Sequence, residues 1–196
     1  MITFLTDSTD IARIHFSSRL NLKQRSKLGQ FLTPATIARF MARKFSNLSG
    51  NISLLDPGAG VGSLTAAFVE RLLINPHDVK KCLITAYEVE SIFIPSLQQC
   101  LIECCTALES RGIEANYYLH EESFIAAIPE KNLPLLTTSA NSFTHAILNP
   151  PYKKINNQSI EKKILANIGI ETVNLYRAFV CNTSRLRLGL DKNRVV

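Results

Sequence analysis

The chain lacks an apolar run long enough to cross a membrane, since no stretch of about 18 or more apolar residues occurs in it. Residues 1–16 also lack the cationic start and apolar run of a secretory signal. Charged residues amount to only 19% of the 196 residues and hydrophobic residues to 46%, a balance typical of a folded domain and not of a disordered chain. We therefore expect a cytoplasmic protein with one core and no membrane partner.

Cysteine occurs without the spacing that metal and redox sites need. None of the five cysteines forms a CxxC or Cys/His pattern, so we expect no metal site. Cys100 and Cys104 lie four positions apart in an apolar run and should share one face of a helix. The cysteines are therefore expected to be reduced and buried.

Internal repeats are absent too, but the charge is unevenly distributed. The net charge of +6 combines +6 in residues 1–50, −6 in residues 51–150 and +6 in residues 151–196. Basic flanks suit a polyanionic partner, because neutralised phosphates release counterions. A solvated basic surface without a partner explains the same pattern.

Strand and helix patterns alternate after residue 50, behind a helical or irregular lead-in at 1–28 and a helix that begins at Thr33-Pro34. Strands are predicted at 52–55, 83–89, 116–120 and 145–149, helices at 64–73, 92–108 and 171–188, and a loop at 129–143. The crossovers are long enough for parallel pairing, which predicts an open, mostly parallel α/β sheet with helices on both faces. Ligands of such sheets bind beyond the carboxyl ends of the strands.

A glycine-rich turn follows the first predicted strand, in the order Asp56, Pro57, Gly58, Ala59, Gly60, Val61, Gly62. Glycines at alternate positions let the backbone pass close to a ligand, and the next helix offers free N–H groups. The spacing is GxGxG and not the GxGxxG of dinucleotide sites. Asp56 would meet a cationic group such as an amine, so the turn favours an amino-acid-bearing nucleoside over NAD. The alternative is a tight structural turn.

Acidic residues follow the next two predicted strands. Glu88 could accept hydrogen bonds from both hydroxyls of a ribose. Glu122, Ser123 and Phe124 come after the third strand, where an acid could hold the exocyclic amine of the ligand's adenine. Solvated acids at strand ends are the alternative.

The fourth predicted strand ends in Asn149, Pro150, Pro151 and Tyr152. Two prolines fix the backbone and leave carbonyl groups without competing N–H donors. The Asn149 amide oxygen and the Pro150 carbonyl could accept from a substrate NH2 group, and Tyr152 offers a flat face for a planar ring. A bare structural turn is the alternative.

Taken in this order, the motifs resemble those of the gamma class of N6-adenine-specific DNA methyltransferases, including the enzymes of restriction–modification systems. Residues 29–34 (GQFLTP) are similar to the family's N-terminal cofactor motif, and residues 174–179 (NLYRAF) to the helix after its catalytic motif. The resemblance implies a Rossmann-like fold, S-adenosyl-L-methionine as cofactor and catalytic roles for residues 149–152. It adds Phe31, Thr33 and Pro34 to the expected cofactor contacts.

The resemblance also implies a partner, double-stranded DNA with a flipped adenine. One motif departs from the family, since Ser123 stands before Phe124 where an aspartate is common. Family members continue into further strands and a recognition domain. We therefore interpret 29–196 as a methyltransferase catalytic domain truncated after the fourth strand, with one strand edge exposed. A missing domain or subunit would complete it, and we expect weak cofactor affinity from this chain alone.

Three alternatives remain open. An enzyme that methylates protein glutamine or RNA guanine shares the NPPY chemistry, but should lack GQFLTP. A truncated, non-catalytic remnant would bind the cofactor without turnover. A dinucleotide oxidoreductase is disfavoured by the glycine spacing.

Overall fold

A computed structural model describes residues 4–19, 32–46, 48–74, 76–127, 143–152, 154–156, 158–185 and 196. Two predicted features lie outside these ranges: Phe31 of the cofactor motif, and residues 129–142 of the predicted 129–143 loop. Across the described ranges, no helix has the length and apolar character to cross a bilayer. The same ranges hold no cluster of three or more His, Cys, Asp or Glu side chains arranged for a metal ion.

Within the described residues, four parallel strands form one sheet in the order β3-β2-β1-β4. Their bounds are β1 (Gly50–Asp56), β2 (Val79–Tyr87), β3 (Glu114–His120) and β4 (His145–Ala146). Asp56 lies opposite Ala86, and Tyr87 opposite His120, so the carboxyl ends of the first three strands are aligned. This arrangement confirms the predicted open, parallel α/β sheet.

Six α-helices occur in the described ranges: α1 (Leu5–Arg19), α2 (Ala35–Ala42), α3 (Ser63–Ile74), α4 (Ile94–Glu109), α5 (Ile160–Asn167) and α6 (Leu175–Arg185). They cover both faces of the sheet. Successive strand residues point to opposite faces, so neighbouring residues of one strand pack against different helices. Leu54 packs in a core with α3 and α4, and Leu55 packs in a second core with Leu165 of α5 and Ala178 of α6. Helices on both faces were predicted.

The helix predicted at 171–188 begins later than expected. Residues 171–174 are not helical, because the Ile155 N–H donates to the Val173 carbonyl and Lys154 pairs with Asn174. Helix α6 therefore starts at Leu175. Helix α5 was not predicted; its N-cap Ser159 accepts a hydrogen bond from the Lys162 N–H.

The outer edge of β4 is not fully exposed, contrary to expectation. The Val196 N–H donates to the Ala146 carbonyl at 3.0 Å, and the Val196 carbonyl accepts from the Leu148 N–H at 2.9 Å. These two bonds have the pattern of a parallel strand pair. Val196 therefore satisfies backbone groups that β4 would otherwise present to solvent.

Candidate cofactor and catalytic site

A cavity of about 270 Å³ opens at the carboxyl ends of the strands. Its wall combines the segment before α2, the turn after β1, the ends of β2 and β3, and the turn after β4. Helices α5 and α6 close it from the second face through Glu161, Leu175 and Phe179. The cavity thus lies where the sheet pattern places a ligand.

Ten of the residues expected in the site line this cavity. They are Thr33, Pro57, Gly58, Gly60, Glu88, Glu122, Ser123, Phe124, Asn149 and Pro151. Five others do not line it: Pro34, Asp56, Gly62, Pro150 and Tyr152. The glycine turn and the Asn149 turn, 90 residues apart in the chain, therefore share one cavity wall.

The glycine-rich turn is held in place by backbone and side-chain contacts. The Ala59 N–H donates to the Tyr87 carbonyl at 3.0 Å. Gly60 has a φ of +57°, and a Cβ there would lie 2.7 Å from Cδ2 of Leu32. Glycine is therefore needed at this position both for its backbone conformation and for the approach of residue 32.

Gly62 serves packing and not ligand approach. Its φ is +87°, and a Cβ there would lie 2.6 Å from Sγ of Cys100 and 3.2 Å from Leu97. The Cys100 thiol also donates to the Gly62 carbonyl at 3.5 Å. The third glycine thus lets the turn pack against α4.

Asp56 points away from the cavity, although the sequence placed it opposite a cationic ligand. It is fully buried, and its Oδ2 accepts from the Thr65 hydroxyl at 2.8 Å. Burial raises the pKa of Asp56 to about 7, the Thr65 hydrogen bond lowers it in part, and nearby Glu88 raises it further. Asp56 thus lies beneath the start of α3.

Glu88 connects the end of β2 to the glycine turn. Its Oε2 accepts from the Gly60 N–H at 2.7 Å, and its Oε1 accepts from the N–H groups of Val89 at 2.8 Å and Glu90 at 2.9 Å. Burial raises the pKa of Glu88, and these backbone donors lower it in part. A carboxylate has about four acceptor positions, so one remains on Oε2 for a ligand hydroxyl.

Aromatic rings form one side of the cavity. The Phe124 ring lies 5.3 Å from Tyr87 and 5.6 Å from Phe179, and His120 stacks on Tyr87 at 4.4 Å. Such a wall suits a planar ring. Tyr87, Leu175 and Phe179 were not predicted to belong to the site, although the last two stand four positions apart on one face of α6.

Asn149 is hydrogen-bonded to the segment before α2. Its Nδ2 donates to Oγ1 of Thr33 at 3.0 Å. Beyond the two prolines, Tyr152 is 63% exposed, and its ring stacks on Tyr176 of α6 with centroids 5.5 Å apart and planes 19° apart. The turn after β4 thus presents an amide to the cavity and an aromatic face to solvent.

The charged side chains among the described residues that line the cavity are all acidic. Four glutamates line it, Glu88, Glu90, Glu122 and Glu161, and none of the described lining residues is Lys, Arg or His. Carboxylates favour a ligand with positive charge or with several hydrogen-bond donors. They disfavour the pyrophosphate of a dinucleotide.

Two curated proteins match most of the chain. It is 40% identical over 188 residues to the type II methyltransferase M.BsuBI of Bacillus subtilis, and 38% identical over 173 residues to the type II methyltransferase M.PstI of Providencia stuartii. The matches cover 93% and 87% of this chain, but 35% and 33% of the relatives. The chain therefore spans about a third of the length of the curated relatives it matches. No family model matches it.

The fold has a counterpart among solved structures. A protein of Listeria monocytogenes described as a class I S-adenosylmethionine-dependent methyltransferase superposes with a TM-score of 0.58 at 14% identity. The match covers 93% of this chain and 49% of the other. The fold is thus the Rossmann-like fold of class I methyltransferases. The two curated relatives, 40% and 38% identical over most of the chain, show that it belongs to the type II methyltransferase family.

Proposed function

We propose that this chain is the cofactor-binding and catalytic part of an adenine-specific DNA methyltransferase. It would transfer a methyl group from S-adenosyl-L-methionine to N6 of adenine in DNA, in the cytoplasm, within a restriction–modification system. The proposal depends on one observation above all: Asn149 and the glycine turn line the same cavity. A cofactor on the turn and a base at Asn149 could then touch.

The residues of the cavity fit the proposed cofactor. Glu88 has an acceptor position left for a ribose hydroxyl, and the aromatic wall around Phe124 suits an adenine ring. Glu122 lines the cavity together with Phe124 and would accept a hydrogen bond from the adenine amine. The acidic wall favours a ligand that carries a sulfonium and an ammonium group.

The reaction requires the protein mainly to position the methyl donor and the target amine next to each other. When bound by the glycine turn and Glu88, the cofactor would supply an electrophilic sulfonium methyl group and would leave as a neutral thioether, while the methylated amine would release one proton to water. The Asn149 amide oxygen accepts a hydrogen bond from the target amine and holds its nitrogen toward the cavity, which Asn149 lines. No strong base is needed, because the neutral amine attacks a cationic centre.

Duplex DNA hides the adenine amine inside the base stack, so the base must leave the helix. Tyr152 is exposed beside the cavity and offers its ring to the flipped base. The basic flanks at 1–50 and 151–196 suit contact with the phosphate backbone.

The test is Asn149→Ala, assayed with labelled cofactor on unmethylated genomic DNA, with N6-methyladenine measured by mass spectrometry of the nucleosides. We expect transfer to fall by about 100-fold or more, while cofactor affinity measured by calorimetry changes by less than about threefold. Asn116→Ala is the matched control, since Asn116 is exposed on β3. Transfer that survives in Asn149→Ala within a few-fold would contradict the assignment.

The same assay separates the alternatives. Cofactor binding by the unaltered chain without transfer to DNA favours a non-catalytic remnant. Transfer to protein glutamine or RNA guanine in place of DNA favours the other methyltransferases that share NPPY chemistry.

A further inference from the structure

We propose that Thr33 is a positioning residue that orients the amide of Asn149 toward the substrate. This role differs from the cofactor contact expected of Thr33, and it rests on the proposed function of Asn149. The hydrogen bond from Asn149 Nδ2 to Thr33 Oγ1 carries the inference, since it joins residues 116 positions apart at the cavity wall.

Thr33 is fixed in place from both sides. The next residues begin α2, where the Ala35 N–H donates to Asp10 of α1 at 3.1 Å. Asp10 is itself held by Arg13 at 2.6 Å. On the other side, Leu32 lies over Gly60. With only 7% of its surface exposed, Thr33 therefore offers its hydroxyl from a constrained position.

An amide has two chemically different ends, and only its oxygen can accept from an amine. The Thr33 hydroxyl accepts from the nitrogen end of Asn149, so the oxygen end points elsewhere. Rotation about the last side-chain torsion of asparagine is broad, and the Thr33 hydroxyl restricts it through this bond. Thr33 would thus act on the reaction through Asn149, by limiting that rotation.

The test compares Thr33→Val, which keeps the shape and removes the hydroxyl, with Thr33→Ser, which keeps the hydroxyl. We expect kcat to fall about 10- to 100-fold in Thr33→Val, with the cofactor dissociation constant changed by less than about threefold. Thr33→Ser should recover kcat to within about threefold of the unaltered chain. Thr9→Val, a buried threonine of α1 whose hydroxyl donates to Thr6, controls for loss of a buried hydroxyl.

Two kinetic results would overturn the inference. One is an unchanged kcat in Thr33→Val. The other is a loss of cofactor affinity as large as the loss of kcat/KM, which would make Thr33 a cofactor contact alone.

A second readout does not depend on turnover. The side-chain NH2 signals of Asn149, identified by their absence in Asn149→Ala, can be followed by NMR in the protein without substrate. We expect Thr33→Val to shift these signals and speed their exchange with solvent, and Thr33→Ser to leave them nearly unchanged. Unchanged signals in Thr33→Val refute the positioning role. If the unaltered chain transfers no methyl group to DNA, the proposed function fails, and the NMR comparison still decides whether Thr33 holds the amide.

Discussion

Glu88 holds the backbone of Gly60 through a 2.7 Å hydrogen bond from the Gly60 N–H to Oε2. One buried carboxylate therefore joins the end of β2 to the turn after β1, and the same group is the proposed ribose acceptor. The folding of the turn and the binding of the cofactor thus depend on one side chain.

Glu88→Gln should impair both properties. An amide cannot accept on both sides, so it would place an NH2 group against either Gly60 or the Val89 and Glu90 N–H groups. We expect the free energy of unfolding to fall by about 1–3 kcal/mol and the cofactor dissociation constant to rise by about tenfold or more. Denaturant unfolding and calorimetry measure the two effects.

Glu90→Gln is the matched control, because it makes the same change of charge on the same wall. It should leave the free energy of unfolding nearly unchanged. Equal losses in the two variants would mean that wall charge, and not the bonds of Glu88, governs binding.

Gly58→Ala and Gly62→Ala should separate binding from folding. A Cβ at residue 62 meets Cys100 at 2.6 Å in a left-handed backbone conformation, so we expect the free energy of unfolding to fall by about 2–4 kcal/mol. A Cβ at residue 58 lies 3.5 Å from Phe179 on the cavity wall, an ordinary contact. Gly58→Ala should therefore fold normally and bind the cofactor about tenfold more weakly.

Thermal unfolding and calorimetry on both variants check this contrast. Adding Cys100→Ala to Gly62→Ala should recover part of the lost stability, because it removes the closest atom. A Gly62→Ala variant as stable as the unaltered chain would show that the packing of the turn against α4 is not tight.

Asp56 should make the protein less stable as the pH rises from about 4 to about 7. Burial raises its pKa from 3.8 to about 7 in the folded state, so the folded chain keeps a proton that the unfolded chain releases between these values. Its stabilising contribution is complete below about pH 4 and is lost as the pH rises to about 7. Each pKa unit corresponds to about 1.4 kcal/mol.

The measurement is the free energy of unfolding from pH 4 to 8.5 for the unaltered chain and for Asp56→Asn. The unaltered chain should lose stability relative to the variant by a few kcal/mol between about pH 4 and 7, and the difference should then level off. Parallel curves for the two proteins would mean that Asp56 is already ionised in the folded state below neutrality.

Tyr176 should support the stacking of a flipped base on Tyr152. The two rings stack 5.5 Å apart, so removing Tyr176 frees the exposed Tyr152 ring. We expect Tyr176→Ala to lower affinity for DNA about three- to tenfold, and Tyr176→Phe to change it by less than twofold. Tyr118→Ala, exposed on β3, is the control.

DNA with 2-aminopurine at the target position reports base flipping through its fluorescence. A smaller signal in Tyr176→Ala, with unchanged cofactor affinity, is the expected result. If Tyr176→Phe and Tyr176→Ala behave alike, the ring stack does not matter.

The sheet and the position of the cavity could be predicted, because buried parallel strands appear as apolar runs and their turns are marked by Asp-Pro-Gly and Asn-Pro-Pro. The direction of single side chains at a strand end is harder to predict. Asp56 lies on the same side of β1 as Ile52 and Leu54, so it faces the core under α3. Strand alternation fixed this direction, and the motif alone did not reveal it.

The part of the chain that follows Tyr152 was predicted less well than the strands. Residues 171–174 were predicted as the start of a helix, but the backbone of Val173 and Asn174 pairs with that of Ile155 and Lys154. Such pairing is a long-range contact and overrides a local helical pattern. Helix α5 is short, and its signal is mainly the capping serine at 159.

The contacts of Leu32 and Thr33 have a consequence for how two ligands would influence each other. One residue touches the turn proposed for the cofactor, and the other holds the amide proposed for the base. A molecule that moves either residue changes the free energy at both turns. Such coupling is reciprocal: the factor by which cofactor tightens or loosens DNA must equal the factor by which DNA tightens or loosens cofactor.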